Sequence, residues 1–160
     1  MTYEMALQRL TAICASAEHC EYEMTEKMRK WEVDESDRTR VMEYLRKAKF
    51  VDDERYARAF VKDKIRYNKW GRRKVEQGLW AKHIAEDIRQ RVLDEVDDNE
   101  YKSVLTDLLK SKRRSVKAAN DYEMNTKLIK FALSRGFDYG IVRQCIDCDD
   151  YAEEDCETDF

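Results

Sequence analysis

The chain contains no proline and only four glycines in 160 residues. A β-sandwich or barrel turns every ten or so residues, and those turns lean on Gly and Pro. Such folds are therefore excluded. Phosphate-cradling loops of dinucleotide and P-loop folds need glycine for close backbone approach, so they are excluded too. No run of 18 apolar residues occurs, which leaves no transmembrane span, and the start MTYEMALQRLTA lacks the basic-then-apolar layout of a signal peptide. With 42% apolar and 41% charged residues, the expectation is an all-α, highly charged protein of the cytoplasm.

Apolar residues recur at helical spacing and predict nine helices. Met5, Leu7, Leu10, Ile13 and Cys14 mark the first, and Tyr22, Met24, Met28 and Trp31 the second. Val41, Met42, Tyr44, Leu45 and Ala48 mark the third, with Ser36 or Asp37 as its N-cap. Asp52 and Asp53 open the fourth, placing acid at the positive end of the dipole, and Tyr56, Ala57, Phe60, Val61 and Ile65 form its apolar side. After Gly71 come Val75, Leu79 and Trp80, then Ile84, Ile88, Val92 and Val96. Tyr101, Val104, Leu105, Leu108 and Leu109 mark the seventh, and Leu128, Ile129, Phe131, Ala132 and Leu133 the eighth, ended by Gly136. Ile141, Val142, Cys145 and Ile146 mark the ninth.

The nine fall into three sets of three. Met24, Met28 and Val33 shift by 51 onto Val75, Leu79 and Ile84, and these shift by 53 onto Leu128, Ala132 and Phe137. Lys82 falls on Arg135, Ile88 on Ile141 and Val92 on Cys145. A period near 50 at helical spacing indicates tandem three-helix modules, each with a core too thin to stand without its neighbours. The expected divisions are 1–49, 50–96 (the basic one) and 97–148, followed by an acidic tail over 149–160. The expected shape is an elongated, curved array suited to a long partner.

A net charge of −3 hides strong segregation. Residues 46–91 carry 15 basic and 7 acidic side chains, 92–109 six acids and one lysine, 110–117 five bases and no acid, and 145–160 eight acids and no base. Basic and acidic stretches can thus serve different ligands. The tail is expected to be a disordered, solvated segment past about Asp149.

Nothing in the chain has the layout of a catalytic centre. His19 and His83 lie at helix ends with no matched nucleophile, and neighbouring Asp52 and Asp53 are explained by capping. No cofactor is expected. Cys145 and Cys148 have metal-ligand spacing but no second pair, so the five cysteines are expected to be ordinary reduced thiols.

The stretch Phe50-Val-Asp-Asp-Glu-Arg-Tyr-Ala-Arg-Ala-Phe-Val61, with Arg66, Trp70-Gly-Arg-Arg-Lys-Val-Glu-Gln-Gly-Leu79 and Lys82, resembles the central repeat of the RecX family, regulators of the RecA recombinase. Leu133-Ser-Arg-Gly-Phe137 resembles that family's final repeat. The resemblance covers about residues 5–147, strongest in the second module and weakest in the first. His83 departs from it, standing where the family usually has glycine. Gly78 also departs, interrupting a helix at a cost of about 1 kcal/mol relative to alanine. The resemblance implies a non-enzymatic modulator acting in DNA repair and recombination. It implies docking in the groove of the RecA–DNA filament, with limits on filament growth, ATP hydrolysis and strand exchange. Direct contact with DNA, single-stranded or within the filament, is a property of some members. No membrane partner is implied, and a monomer is expected.

The candidate contact residues are Lys62, Arg66, Lys69, Arg72, Arg73, Lys74 and Lys82, with Lys112, Arg113 and Arg114 as a second patch beside Lys110 and Lys117. Lys62 and Arg66 at a helix C-terminus are also what the dipole favours. Arg72, Arg73 and Lys74 at a helix N-terminus are not, which points them at phosphate or an acidic protein surface. Tyr67 and Trp70 are either a base-stacking platform or, the more usual role, wedges between helices. Trp31 and Trp80 are expected to pack between modules. A free-standing nucleic-acid binder built on helix-turn-helix-like units is the alternative function, and a scaffold for an unrelated partner is a third.

Overall fold

The structure is a computed structural model that describes residues 1–146. Every regular element among them is an α-helix: α1 (Tyr3–Ser16), α2 (Glu21–Lys30), α3 (Glu35–Lys47), α4 (Asp53–Arg66), α5 (Arg72–Ala81), α6 (Glu86–Asp94), α7 (Asp98–Ser115) and α8 (Asp121–Ser134). A ninth, α9, runs over 139–146. The acidic tail, with Cys148 and Cys156, lies outside the described residues.

The internal repeat is visible in the core. Met24, Val75 and Leu128 are each fully buried, as are Met28, Leu79 and Ala132. Val33, Ile84 and Phe137 occupy the third equivalent position at 1–2% exposure. The residue before each of this last set has positive φ: Glu32 at 58°, His83 at 58° and Gly136 at 91°. There the chain closes the second helix of each module with the same left-handed turn. The amide of Val33 donates to the Met28 carbonyl, that of Ile84 to Leu79 and that of Phe137 to Ala132, the six-to-one bond of a Schellman cap. His83 therefore keeps the geometry that glycine ordinarily supplies, and its ring stacks on Tyr22 at 4.0 Å.

By contact the chain forms two compact units, one of residues 1–60 and 78–92, the other of 61–77 and 93 onward. In the first, α1 and α2 pack on α3 around Ala6, Leu10, Met24, Met28, Val41, Leu45 and Val51. In the second, α7 packs on α8, with Tyr101, Leu105, Leu109 and Leu128 buried.

Several expected core positions are solvent-facing. Met5, Tyr44, Trp80 and Leu133 are exposed. Each directly adjoins a buried residue and so points off the apolar stripe of its helix. Trp80, 69% exposed, is not a packing residue; Trp31 packs on the core of the first three helices, with Arg9 over its ring at 5.6 Å, and not on a neighbouring module's core. The N-cap of α3 is Asp34, not Ser36 or Asp37, and its carbonyl accepts from the Arg38 amide at 2.8 Å. Asp52 caps its own helix through the Arg55 amide at 3.1 Å, whereas Asp53 accepts from the Glu21 amide at 2.9 Å and so caps α2.

Candidate functional site

The second unit is built around the turn between α4 and α5. The amide of Tyr67 continues the helix by donating to Asp63, Lys69 enters the left-handed region at φ 57°, and the Trp70 amide closes back on the Lys64 carbonyl at 3.1 Å. The Trp70 ring then lies between two ammonium groups, Lys64 at 4.9 Å and Lys74 at 4.8 Å. This is a cation–π arrangement that fixes the ring and both lysines.

Two glycines let α5 meet α8 backbone to backbone. The amides of Gly71 and Arg73 donate to the carbonyls of Arg135 and Gly136 at 2.8 and 3.0 Å. The first turn of α5 thus meets the last turn of α8 end-on, and the orphan donors of one satisfy the orphan acceptors of the other. A Cβ on Gly71 would sit 2.3 Å from the Phe137 nitrogen, and one on Gly136 2.4 Å from the Lys74 Cβ. This junction corrects the dipole expectation for Arg72, Arg73 and Lys74. The positive end of α5 abuts the negative end of α8, so the cations there lie beside carbonyls that favour them.

The three have different tasks. Arg72, its side chain 27% exposed, pairs with Asp94 at 2.7 Å and donates to the Leu93 carbonyl at 3.2 Å. Burial alone would lower its guanidinium, but the hydrogen bond and charge of Asp94 outweigh this and raise it. Arg72 is a structural residue. Lys74 is taken up by Trp70. Arg73 is exposed and has no side-chain partner among the described residues, and the same holds for Lys62, Arg66 and Lys69.

The second basic patch joins the first through two residues that sequence reasoning missed. Arg135 donates to the Asn68 carbonyl in the turn at 3.3 Å, and its guanidinium lies 5.4 Å from the Phe131 ring. Lys112, near the end of α7, lies 4.7 Å from the same ring. Phe131 thus carries two cations, tying the α4–α5 turn to the end of α7. Arg113 is half-buried there and Arg114 is exposed. The sequence signals for Arg135 were its repeat equivalence with Lys82 and its place in Leu133-Ser-Arg-Gly-Phe137.

Lys82 itself belongs to the first unit and is engaged, its Nζ 3.4 Å from Glu23. Burial pushes the Glu23 carboxyl up, but the Cys20 amide (3.2 Å), Lys82 and His19 together hold it below its usual value. Burial drives the Cys20 thiol up to about 12 and raises Cys14, so neither is a poised nucleophile. Cys145 is buried against Thr106. Other cations of this unit are likewise paired: Arg46 with Glu21, Arg55 with Glu18, Arg91 with Glu54 and Arg29 with Glu26. The first unit nets −1, and the described residues of the second net +6.

The basic turn is therefore a positively charged surface whose outer cations have no side-chain partner among the described residues. Of the two aromatics beside it, Trp70 is held between lysines, and Tyr67 is 79% exposed rather than wedged between helices. No group of three His, Cys, Asp or Glu arranged to hold a metal ion occurs among the described residues.

Two family models match: the second three-helix domain of RecX over residues 52–93 and the third over 99–146. A regulatory protein RecX of Clostridium botulinum is 33% identical over 116 residues, which is 71% of this chain and 53% of that protein. One from Clostridium acetobutylicum is 28% identical over 148 residues, 90% of this chain and 68% of that protein. The crystal structure of RecX from Lactobacillus salivarius shares the fold with a TM-score of 0.81 at 18% identity, covering 91% of this chain and 94% of that one. The chain spans about half the length of the first curated relatives it matches.

Proposed function

Because the chain belongs to the RecX family, we propose that it is a non-enzymatic modulator of the RecA recombinase, inhibitory in sense. It binds the RecA–DNA filament in the cytoplasm and limits filament growth, ATP hydrolysis and strand exchange in repair and recombination. The observation that carries this reading is the set of exposed cations Lys62, Arg66, Lys69 and Arg73 about the α4–α5 junction, none with a side-chain partner among the described residues. Arg114 extends the set at the end of α7.

Exposed cations gathered around one turn, with no side-chain partner among the described residues, fit a partner supplying the counter-charge. A nucleoprotein filament offers it twice, as phosphate and as acidic protein surface. The mechanism is steric and electrostatic: the protein holds adjacent protomers or caps the growing end, and no bond is made or broken. Arg72, Lys74 and Lys82 support the surface rather than contact the partner, since each is already engaged.

The test is ATP hydrolysis by RecA on single-stranded DNA, titrated with this protein. Suppression at substoichiometric ratios is the expected result. Unchanged hydrolysis at molar excess would refute the reading.

A further inference from the structure

We propose that the turn after α4 is a base-stacking site for single-stranded nucleic acid, with Tyr67 as the platform and Arg66, Lys69 and Arg73 as phosphate contacts. The inference deepens the filament reading by naming what this turn touches, and it rests on that reading only for its place in function.

Tyr67 differs from the other aromatic of the basic turn. Tyr67 is 79% exposed and has no ring partner, while neighbouring Trp70 is engaged by two lysines. A large aromatic exposed to that degree has lost its burial free energy, and no contact among the described residues offsets the loss. The backbone that carries it is not loose. The Tyr67 amide bond to the Asp63 carbonyl holds the segment on one side, and the left-handed turn at Lys69, the Trp70 clamp and the Arg135 bond to the Asn68 carbonyl hold it on the other. Cations flank it at 66, 69 and 73, and no acid among the described residues pairs with them. An exposed aromatic ring on a held backbone, with cations on either side of it in the chain, suits a π-face joined to phosphates, which is the chemistry of an unpaired nucleotide strand. A duplex does not fit, because its bases are stacked on one another and present only their edges. An acidic protein surface would satisfy the cations yet leave the ring without a role.

The test uses the whole chain without recombinase, so that it stands apart from the filament reading. Fluorescence anisotropy would follow binding to a labelled 20-nucleotide single strand, to an abasic strand of the same length and to a 20-base-pair duplex. For Tyr67→Ala the expected loss on the single strand is about fivefold to a hundredfold, the range of one lost base–aromatic stack. Tyr67→Phe should restore most of it. Abasic-strand and duplex affinity should change less than about twofold, since phosphate neutralisation is untouched. Equal binding of the single strand by wild type and Tyr67→Ala would overturn the proposal. So would an equal loss on all three ligands, or no binding of the single strand by the wild type; that last result beside intact RecA suppression would assign the turn to a protein surface.

Discussion

The two units use the same residue types to opposite ends. In the first, several cations meet carboxylates, Lys82 with Glu23, Arg46 with Glu21 and Arg91 with Glu54, while Lys30, Lys47 and Lys49 stay exposed at separate helix ends. In the second, the turn after α4 gathers cations faster than acids, and of the α5 triplet only Arg72 finds a carboxylate, Asp94. Charge density is high in both. What separates them is that the second gathers its unpaired cations around one turn, which is a property of the fold rather than of composition. A basic run in a sequence is therefore a weak sign of a binding surface, and a basic run left unpaired after folding is a stronger one.

The contrast is most easily broken at its scaffold. Gly71→Ala would drive a Cβ into the Phe137 backbone and separate α5 from the end of α8. We expect a loss of about 3 kcal/mol or more in urea unfolding, because the clash is with backbone that cannot step aside. A loss below about 1 kcal/mol would show that the end-on junction does not order the basic turn.

The contrast is sharpened next within α5 itself. Arg72→Glu removes an ion pair and a bond to a carbonyl, and sets two carboxylates together; it should cost about 2 kcal/mol. Arg73→Glu, one residue on, should stay within about 0.5 kcal/mol, as surface changes do. Comparable losses from both would erase the distinction between a structural and a partner-facing arginine.

The smallest effect concerns the first unit. Glu23 is held below its usual value, so its charged form contributes stability above a pH of about 4.5 that is lost as pH falls through the lowered value. Glu23→Gln should flatten that part of the acid limb when urea midpoints are followed from about pH 6 to about pH 3. Asp53, raised by burial, acts in the opposite sense, its charge being relieved on acidification. An acid limb unchanged in Glu23→Gln would mean the Lys82 pair is fully screened by solvent.

The helices and their repeat were legible because burial imposes a period that three modules share, down to Met24, Val75 and Leu128. The sequence misled where one residue of offset decides the face, as at Trp80 and Leu133, since a rotation of about 100° turns an apolar side chain outward without disturbing the pattern. The candidate surface was legible as a basic stretch but not in its parts. Arg72 pairs with a residue 22 positions away and Arg135 reaches one 67 away, and no local pattern encodes such distances. Tyr67 and Trp70 looked alike in the chain; only the folded turn gives one to solvent and the other to two lysines.

The unpaired cations of the second unit are held to carry the partner contact. The most direct test is RecA ATP hydrolysis on single-stranded DNA, comparing Arg66→Glu with Arg73→Glu in one protein against Arg40→Glu with Arg46→Glu in another. The first pair lies on the unpaired turn, and the second consists of arginines already matched by Asp37 and Glu21. Suppression should be lost with the first pair and retained with the second, both proteins keeping wild-type helicity. Equal suppression by both, or equal loss in both, would contradict the assignment.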